Sequence, residues 1–293
     1  MGIAENFQDI LATFPDAQLL KEGGQKAVFL ISHPNYGKSV LKVGTYSRPQ
    51  TLERIQREVR TLREIDSAYY PKNFDFQILP DNRFLIVEQY VDCIPLSSCM
   101  DQYVDPAKAL MLVRELVIGL KILWEKQIVH RDIKPDNILI ASNGRPIIID
   151  LGIARLLDEE SLTQTIALRG PATPFYAGPE QLLNRKASID IRTDQFNLGI
   201  ILLQLLMKGI HPFDPAIVCA GENIVENILA GRWYRGVFTN PHLICLQPLI
   251  EKLLYRLPGR LFFPACIICC SFHNQTASQA KVPSNLLSRD ASL

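Results

Sequence analysis

The sequence predicts an α+β chain of two lobes: a small one built on an antiparallel sheet with one main helix, then a larger, mainly helical one. Three observations carry that expectation. Between Leu19 and Val91, short apolar and β-branched runs alternate with turn-rich segments. From Leu96 onward the apolar spacing becomes helical. Within the helical part sits one polar loop, Val129–Ile140, reading V-H-R-D-I-K-P-D-N-I-L-I, held between apolar flanks.

Composition sets the outer bounds. The 293 residues, 47% of them apolar, suffice for a real core. Thirty-one basic against 30 acidic residues leave a formal charge of +1, which gives no global attraction to nucleic acid or to an anionic membrane. Seven cysteines, an odd number scattered from Cys93 to Cys270, do not form a secreted disulfide framework. Met1–Ile10 has no basic segment leading into a long apolar run, and Asn6 stands where a myristoylation motif expects Ser or Thr. Phe196–Met207 and Leu261–Phe272, the longest apolar segments, are too short to span a bilayer. The expectation is a cytoplasmic chain without a membrane anchor.

Residues 1–17 read as an N-terminal arm, with a short leading helix ended at Pro15, and residues 18–91 as the small lobe. Ala27–Ser32 and Ser39–Val43 are strands around the turn-rich His33–Lys38, which makes a hairpin. The run from Thr51 to Ile65 is a helix with Ile55, Val59, Leu62 and Ile65 near one face. Its arginines, Arg54, Arg57, Arg60 and Arg63, form a solvated face rather than a nucleic-acid site, because no aromatic residue lies between them. Phe74–Leu79 and Arg83–Val91 add two strands around Pro80-Asp81-Asn82, which brings the lobe to five strands and one helix.

Residues 92–260 form the large lobe. Ala107–Lys126 repeats apolar residues at helical spacing and leads to the polar loop. In that loop Asp132 can accept a proton from a hydroxyl, Lys134 can neutralise a phosphate, and Asn137 can offer an amide oxygen to a divalent cation. Thirteen residues after Asn137, Asp150 ends the apolar strand of Ile147–Gly152 as a second hard oxygen ligand. His130, between Val129 and Arg131, reads as a packed structural histidine. Asp194 opens a long apolar helix, where a buried carboxylate requires partners. Residues 261–293 read as an atypical tail, a short cysteine-rich apolar run followed by polar sequence without periodicity. Cys266, Cys269 and Cys270 lack the second ligand pair of a metal site.

The loop and the Asp150 strand together resemble the catalytic and metal-binding segments of eukaryotic-type, bacterial-like serine/threonine protein kinases, over roughly residues 18–260. The resemblance implies a two-lobed kinase-like fold that transfers the γ-phosphate of ATP to Ser or Thr hydroxyls of protein substrates, with Mg²⁺ or Mn²⁺ as cofactor. It makes Asp132, Lys134 and Asn137 catalytic and places the metal on Asn137 and Asp150. Lys42 grips the α- and β-phosphates and pairs with Glu58. Gly23, Lys26 and Val28 form the phosphate loop, where Lys21 and Lys26 replace the outer two of three glycines and the Lys26 ammonium can bind phosphate instead. Glu88 becomes the gatekeeper, with the Gln89 carbonyl and the Val91 amide facing adenine.

The resemblance also implies that Thr173 bonds Asp132 and Lys134, that Glu180 pairs with Arg260, and that Asp194 caps the catalytic loop. It further implies autophosphorylation opposite Arg131, for which Ser161, Thr163 or Thr165 offers the hydroxyl. The sequence departs from the family pattern in the glycine loop, at Leu151 in place of phenylalanine, and at Ala172 and Gly178 in P-A-T-P-F-Y-A-G-P-E. These departures and the tail leave open a catalytically weak pseudokinase or scaffold. A small-molecule phosphotransferase of the same fold is a further alternative, although such enzymes generally lack the P-x-Y-x-x-P-E segment and a lysine at 134.

Overall fold

The structure, a computed structural model, describes residues 2–23, 26–150, 174–219 and 221–255. After a 3₁₀ turn at Ile3–Phe7 and the short helix α1 (Gln8–Leu11), the chain builds a five-stranded antiparallel sheet. Its strands are β1 (Gln18–Glu22), β2 (Lys26–His33), β3 (Gly37–Thr45), β4 (Asn73–Leu79) and β5 (Arg83–Gln89), in the order β1-β2-β3-β5-β4. Helix α2 (Pro49–Arg63) connects β3 to β4. The expected hairpins are present. Asp81 and Asn82, between β4 and β5, take φ values of 59° and 56°, a left-handed region that short polar side chains tolerate.

Alternation along the strands divides the sheet into two faces. One carries Ala27, Phe29, Ile31, Leu41, Val43, Leu85 and Val87, which pack against Ile3 and Phe7 of the arm. Phe7 is fully buried there, and Arg83 holds the arm through Asp9 (2.8 and 3.0 Å) and the Asn6 carbonyl (2.7 Å). The opposite parity brings Lys26, Val28, Lys42, Phe84, Ile86 and Glu88 to the other face, where Phe84 and Ile86 pack on Ile55 and Val59 of α2. The side of the sheet that meets the helix therefore also carries three charged residues.

In the large lobe β6 (Ile94–Pro95), β7 (Ile138–Ile140) and β8 (Pro146–Ile148) form a small antiparallel sheet. The described helices are α3 (Pro106–Glu125), α4 (Pro179–Leu182), α5 (Ile191–Leu206), α6 (Pro215–Val218), α7 (Ile224–Ala230) and α8 (Gln247–Leu253). Asp105 caps α3 by accepting from the Lys108 amide at 3.0 Å, and Pro106 occupies its first turn. Leu116, Leu120 and Leu123 of α3 share one core with Leu198 and Leu202 of α5, all fully buried. Helix α5 is buried on nearly every side, so its apolar residues do not segregate to one stripe. A Cβ at Gly199 would lie 2.9 Å from both Leu253 and Leu254, so glycine is what lets α8 lie against α5. Among the described residues no helix is long and apolar enough to cross a membrane.

His211 follows α5 and stands against the rings of Phe175, Tyr176 and Phe213. Burial pushes its pKa down to about 4. The unfolded chain titrates this imidazole near pH 6.5, so between the two values the unfolded state binds the extra proton. Stability from this residue is therefore complete above about pH 6.5 and falls, by about 3 kcal/mol in total, as the pH drops to about 4. Urea midpoints at several pH values check this: the decline becomes shallower in His211→Phe, and an identical pH slope in the two chains rejects it.

Candidate active site

The polar loop leaves the end of α3 and enters β7, and Asp194 of α5 holds it from below. This carboxylate is fully buried. Its Oδ2 accepts from Trp124 Nε1 and from the His130 amide, both at 2.9 Å, and its Oδ1 accepts from the Arg131 amide at 2.8 Å. The partners that a buried carboxylate requires are thus two loop amides and one indole. Burial raises the Asp194 pKa above the ordinary carboxylate value, against these donors and the nearby His130, which pull it down.

His130 is fully buried, and burial lowers its pKa. Its Nδ1 accepts from the Asp132 amide at 3.3 Å, so Nε2 carries the hydrogen and donates to the Ile149 carbonyl at 3.1 Å. The imidazole is a brace between loop and strand, as its sequence context suggests.

Arg131 adopts φ +67°, an unusual conformation for a residue with a side chain. The Asp194 bond to its amide and a 2.9 Å bond from Gln181 Nε2 to its carbonyl hold it there. That bend sets the direction of Asp132. The Asp132 Oδ2 accepts from Asn137 Nδ2 at 2.8 Å and lies 3.1 Å from Lys134 Nζ. Asn137 Nδ2 also donates to the Asp132 carbonyl at 2.8 Å. Asn137 and Lys134 are both buried. The Ile149 amide donates to the Asn137 carbonyl at 3.0 Å, which ties the strand bearing Asp150 to the loop.

Asp150, itself at φ +58°, joins a second group of charges from the small lobe. Its Oδ1 lies 2.9 Å from both Lys26 Nζ and Lys42 Nζ, and Lys42 Nζ lies 2.5 Å from Glu88 Oε2. Burial penalises the Asp150 charge, but the two ammonium groups outweigh that and hold its pKa well below the usual carboxylate range. Burial likewise pulls Lys42 down, and the carboxylates of Asp150 and Glu88 reverse this and raise it. Lys26 is lowered, because burial and the Lys42 charge outweigh Asp150.

The structure thus brings Asp132, Lys134 and Asn137 into one hydrogen-bonded unit next to Asp150, with Lys42 and Lys26 on that same carboxylate. Val28 lies directly opposite Lys42 in the β2–β3 register, on the same face of the sheet. Gly23 is exposed and donates to the Lys26 carbonyl at 2.8 Å. Gln89 ends β5 with its amide bonded to the Lys72 carbonyl at 2.8 Å, and Val91 follows the strand half-buried. The Glu58 side chain, and with it the Lys42–Glu58 pair, lies outside the described residues, as do Leu151, Ser161, Thr163, Thr165, Thr173, Arg260 and the tail. Glu180 Oε1 accepts from Thr193 Oγ1 at 2.5 Å.

Among the contacts that the sequence did not reveal are Lys42 with Glu88 and Lys26 with Asp150. The available signal was a glutamate ending the apolar run Phe84–Val87, where a charge on the buried face needs a partner.

The donor set suits a hard cation. Asn137 commits its amide nitrogen to Asp132 and keeps its oxygen as acceptor, and Asp150 adds a carboxylate. Two such ligands, completed by phosphate oxygens, match the way Mg²⁺ is usually held. Among the described residues no cluster of three His, Cys, Asp or Glu residues could hold a metal without such help.

Comparison with known proteins reaches the same segments. The family described as protein kinase domain matches residues 16–232. Serine/threonine-protein kinase Pkn1 of Myxococcus xanthus is 34% identical over 203 residues, which is 67% of this chain and 29% of that protein. Serine/threonine-protein kinase PknB of Mycolicibacterium smegmatis is 34% identical over 223 residues, 72% of this chain and 35% of that protein. Serine/threonine-protein kinase PrkC of Bacillus subtilis is 32% identical over 210 residues, covering 70% and 32%. The matched part is about a third of the length of these relatives.

Proposed function

This chain belongs to the protein kinase domain family, and we propose that it transfers the γ-phosphate of ATP to serine or threonine hydroxyls of protein substrates. The observation that carries this reading is the mutual wiring of Asp132, Lys134 and Asn137 and their link through Ile149 to Asp150. The names of the relatives, each a serine/threonine-protein kinase, support the choice of acceptor.

Asp132 receives the substrate hydroxyl, orients it in line with the γ-phosphorus and takes its proton as the new O–P bond forms. The bond from the γ-phosphorus to the β,γ-bridging oxygen breaks, and ADP leaves with that electron pair. Lys134 lies next to Asp132 and offsets charge on the transferring group. Lys42 binds the α- and β-phosphates. Gly23, just after β1, and Val28 of β2 cover the nucleotide, and the Gln89 carbonyl and Val91 amide meet adenine. Asn137 and Asp150 would hold Mg²⁺ or Mn²⁺, which when bound would offset the charge of the phosphate oxygens. For Asp150 to serve that role it must exchange an ammonium partner, and Lys26, released from it, turns to phosphate.

Arg131 Nε is buried and has no partner among the described residues. It is therefore suited to receive a phosphate on Ser161, Thr163 or Thr165. The net charge of +1 argues against nucleic acid as substrate, and a cytoplasmic location fits the cysteine usage.

The test is intact-mass analysis of the purified chain, with a generic Ser/Thr protein substrate, after incubation with Mg·ATP. The chain or the substrate gains phosphate only when the divalent cation is present. A folded, ATP-binding preparation that transfers nothing to either rejects the reading and favours a scaffold.

A further inference from the structure

Lys42 is held on the small-lobe sheet itself. In the β3–β5 register Lys42 lies opposite Ile86, and Val40 lies opposite Glu88. Glu88 is thus two residues along from the residue facing Lys42, on the same face and at the diagonal distance that long side chains bridge. The two meet at 2.5 Å, with side chains only 9% and 13% exposed. Both strands are internal to the sheet, so neither end of this contact depends on where α2 stands.

The charges around it balance. Lys26 and Lys42 face Asp150 and Glu88, two cations against two anions. Once phosphate transfer engages Asp150 elsewhere, Glu88 is the carboxylate that stays with Lys42. An ammonium that lost both partners in so buried a place would be strongly disfavoured.

We infer that Glu88 is a positioning residue for Lys42: from the neighbouring strand it fixes the direction of the ammonium that meets the nucleotide phosphates. Glu88 thereby acts on nucleotide binding through Lys42. The inference builds on the phosphotransfer reading of this site, and its test uses nucleotide binding so that the two fail separately.

The experiment measures the dissociation constant of a fluorescent ATP analogue with Mg²⁺ for the wild-type chain, Glu88→Gln and Glu58→Gln, with KM for ATP and kcat in parallel. Glu88→Gln keeps the shape and removes the charge. It raises the dissociation constant and KM roughly tenfold or more, in line with loss of a hydrogen bond between charged groups, and changes kcat less. Glu88→Asp recovers part of the loss, which a packing role would not produce.

Binding within twofold of wild type in Glu88→Gln, or a larger loss in Glu58→Gln than in Glu88→Gln, overturns the inference. A wild-type chain that binds nucleotide but transfers nothing rejects the phosphotransfer reading, while the binding comparison still decides the role of Glu88. A wild-type chain that binds no nucleotide overturns both. If Glu88→Gln is too destabilised for binding to be read, a stability cycle with Lys42→Met, followed by urea unfolding, decides. The double variant is then more stable than Glu88→Gln alone, because the unpaired ammonium is gone. Simple additivity of the two substitutions overturns the pairing.

Discussion

Asp132→Asn lowers phosphate transfer by roughly 10²- to 10⁴-fold, the contribution expected of a positioned general base. The substituted amide fills the same space. It retains one oxygen that can accept from Lys134 and Asn137, which now meet at Asp132 Oδ2. What it lacks is the negative charge and basicity that take the hydroxyl proton. The loss therefore falls on kcat, while KM for ATP and the thermal midpoint stay close to wild type, since Lys42 keeps its partners Glu88 and Asp150. Steady-state transfer to a Ser/Thr substrate measures this. A variant that transfers at the wild-type rate removes Asp132 from the mechanism, and one that loses ATP binding as well assigns it a structural role.

The sequence carried the site better where chemistry and spacing coincide than where partners come from distant strands. Asp132, Lys134 and Asn137 lie within six residues, so a single loop brings them together, and Asp150 sits at the end of a strand one hairpin away. The need of Asp194 for partners was legible because an aspartate opening an apolar helix cannot be left bare. The identity of one partner, Trp124, was not legible, because it depends on how α3 crosses α5. The hairpins and the long helices followed from period and turn chemistry.

The partnerships of Lys42 depend on register instead. Glu88 reaches Lys42 only because β3 and β5 are neighbours in the order β1-β2-β3-β5-β4, which places strand five beside strand three. A sequence does not display that order, since pairing between non-consecutive strands leaves no local signature. Lys26 was legible as a departure from a glycine pattern, and its ammonium was assigned to phosphate. That its ammonium also lies on Asp150 follows from the parity of β2, which turns Lys26 to the same face as Val28 and Lys42.

Asp194→Ala produces the largest loss of stability, about 3–5 kcal/mol, because it strands three buried donors together. The Trp124 indole, the His130 amide and the Arg131 amide all bond to this one carboxylate, which is fully buried beside the core that α3 and α5 share. A fall of that size is a large fraction of the roughly 5–15 kcal/mol that keeps a typical domain folded. The damage also has a direction. Arg131 holds a left-handed backbone against its side chain's preference, and its amide bond to Asp194 is one of the two contacts that keep it there. Without that bond the bend relaxes and Asp132 loses its aim, so activity falls further than the folded fraction does. Asp194→Asn separates the two effects: its one oxygen can still accept, while its NH₂ is turned against a donor, so it falls between wild type and alanine. Urea unfolding combined with transfer rates corrected for folded fraction tests this. If Asp194→Ala unfolds at the wild-type midpoint, the three bonds do not hold the loop; if its corrected rate equals wild type, the bend at Arg131 is maintained by Gln181 and the surrounding packing alone.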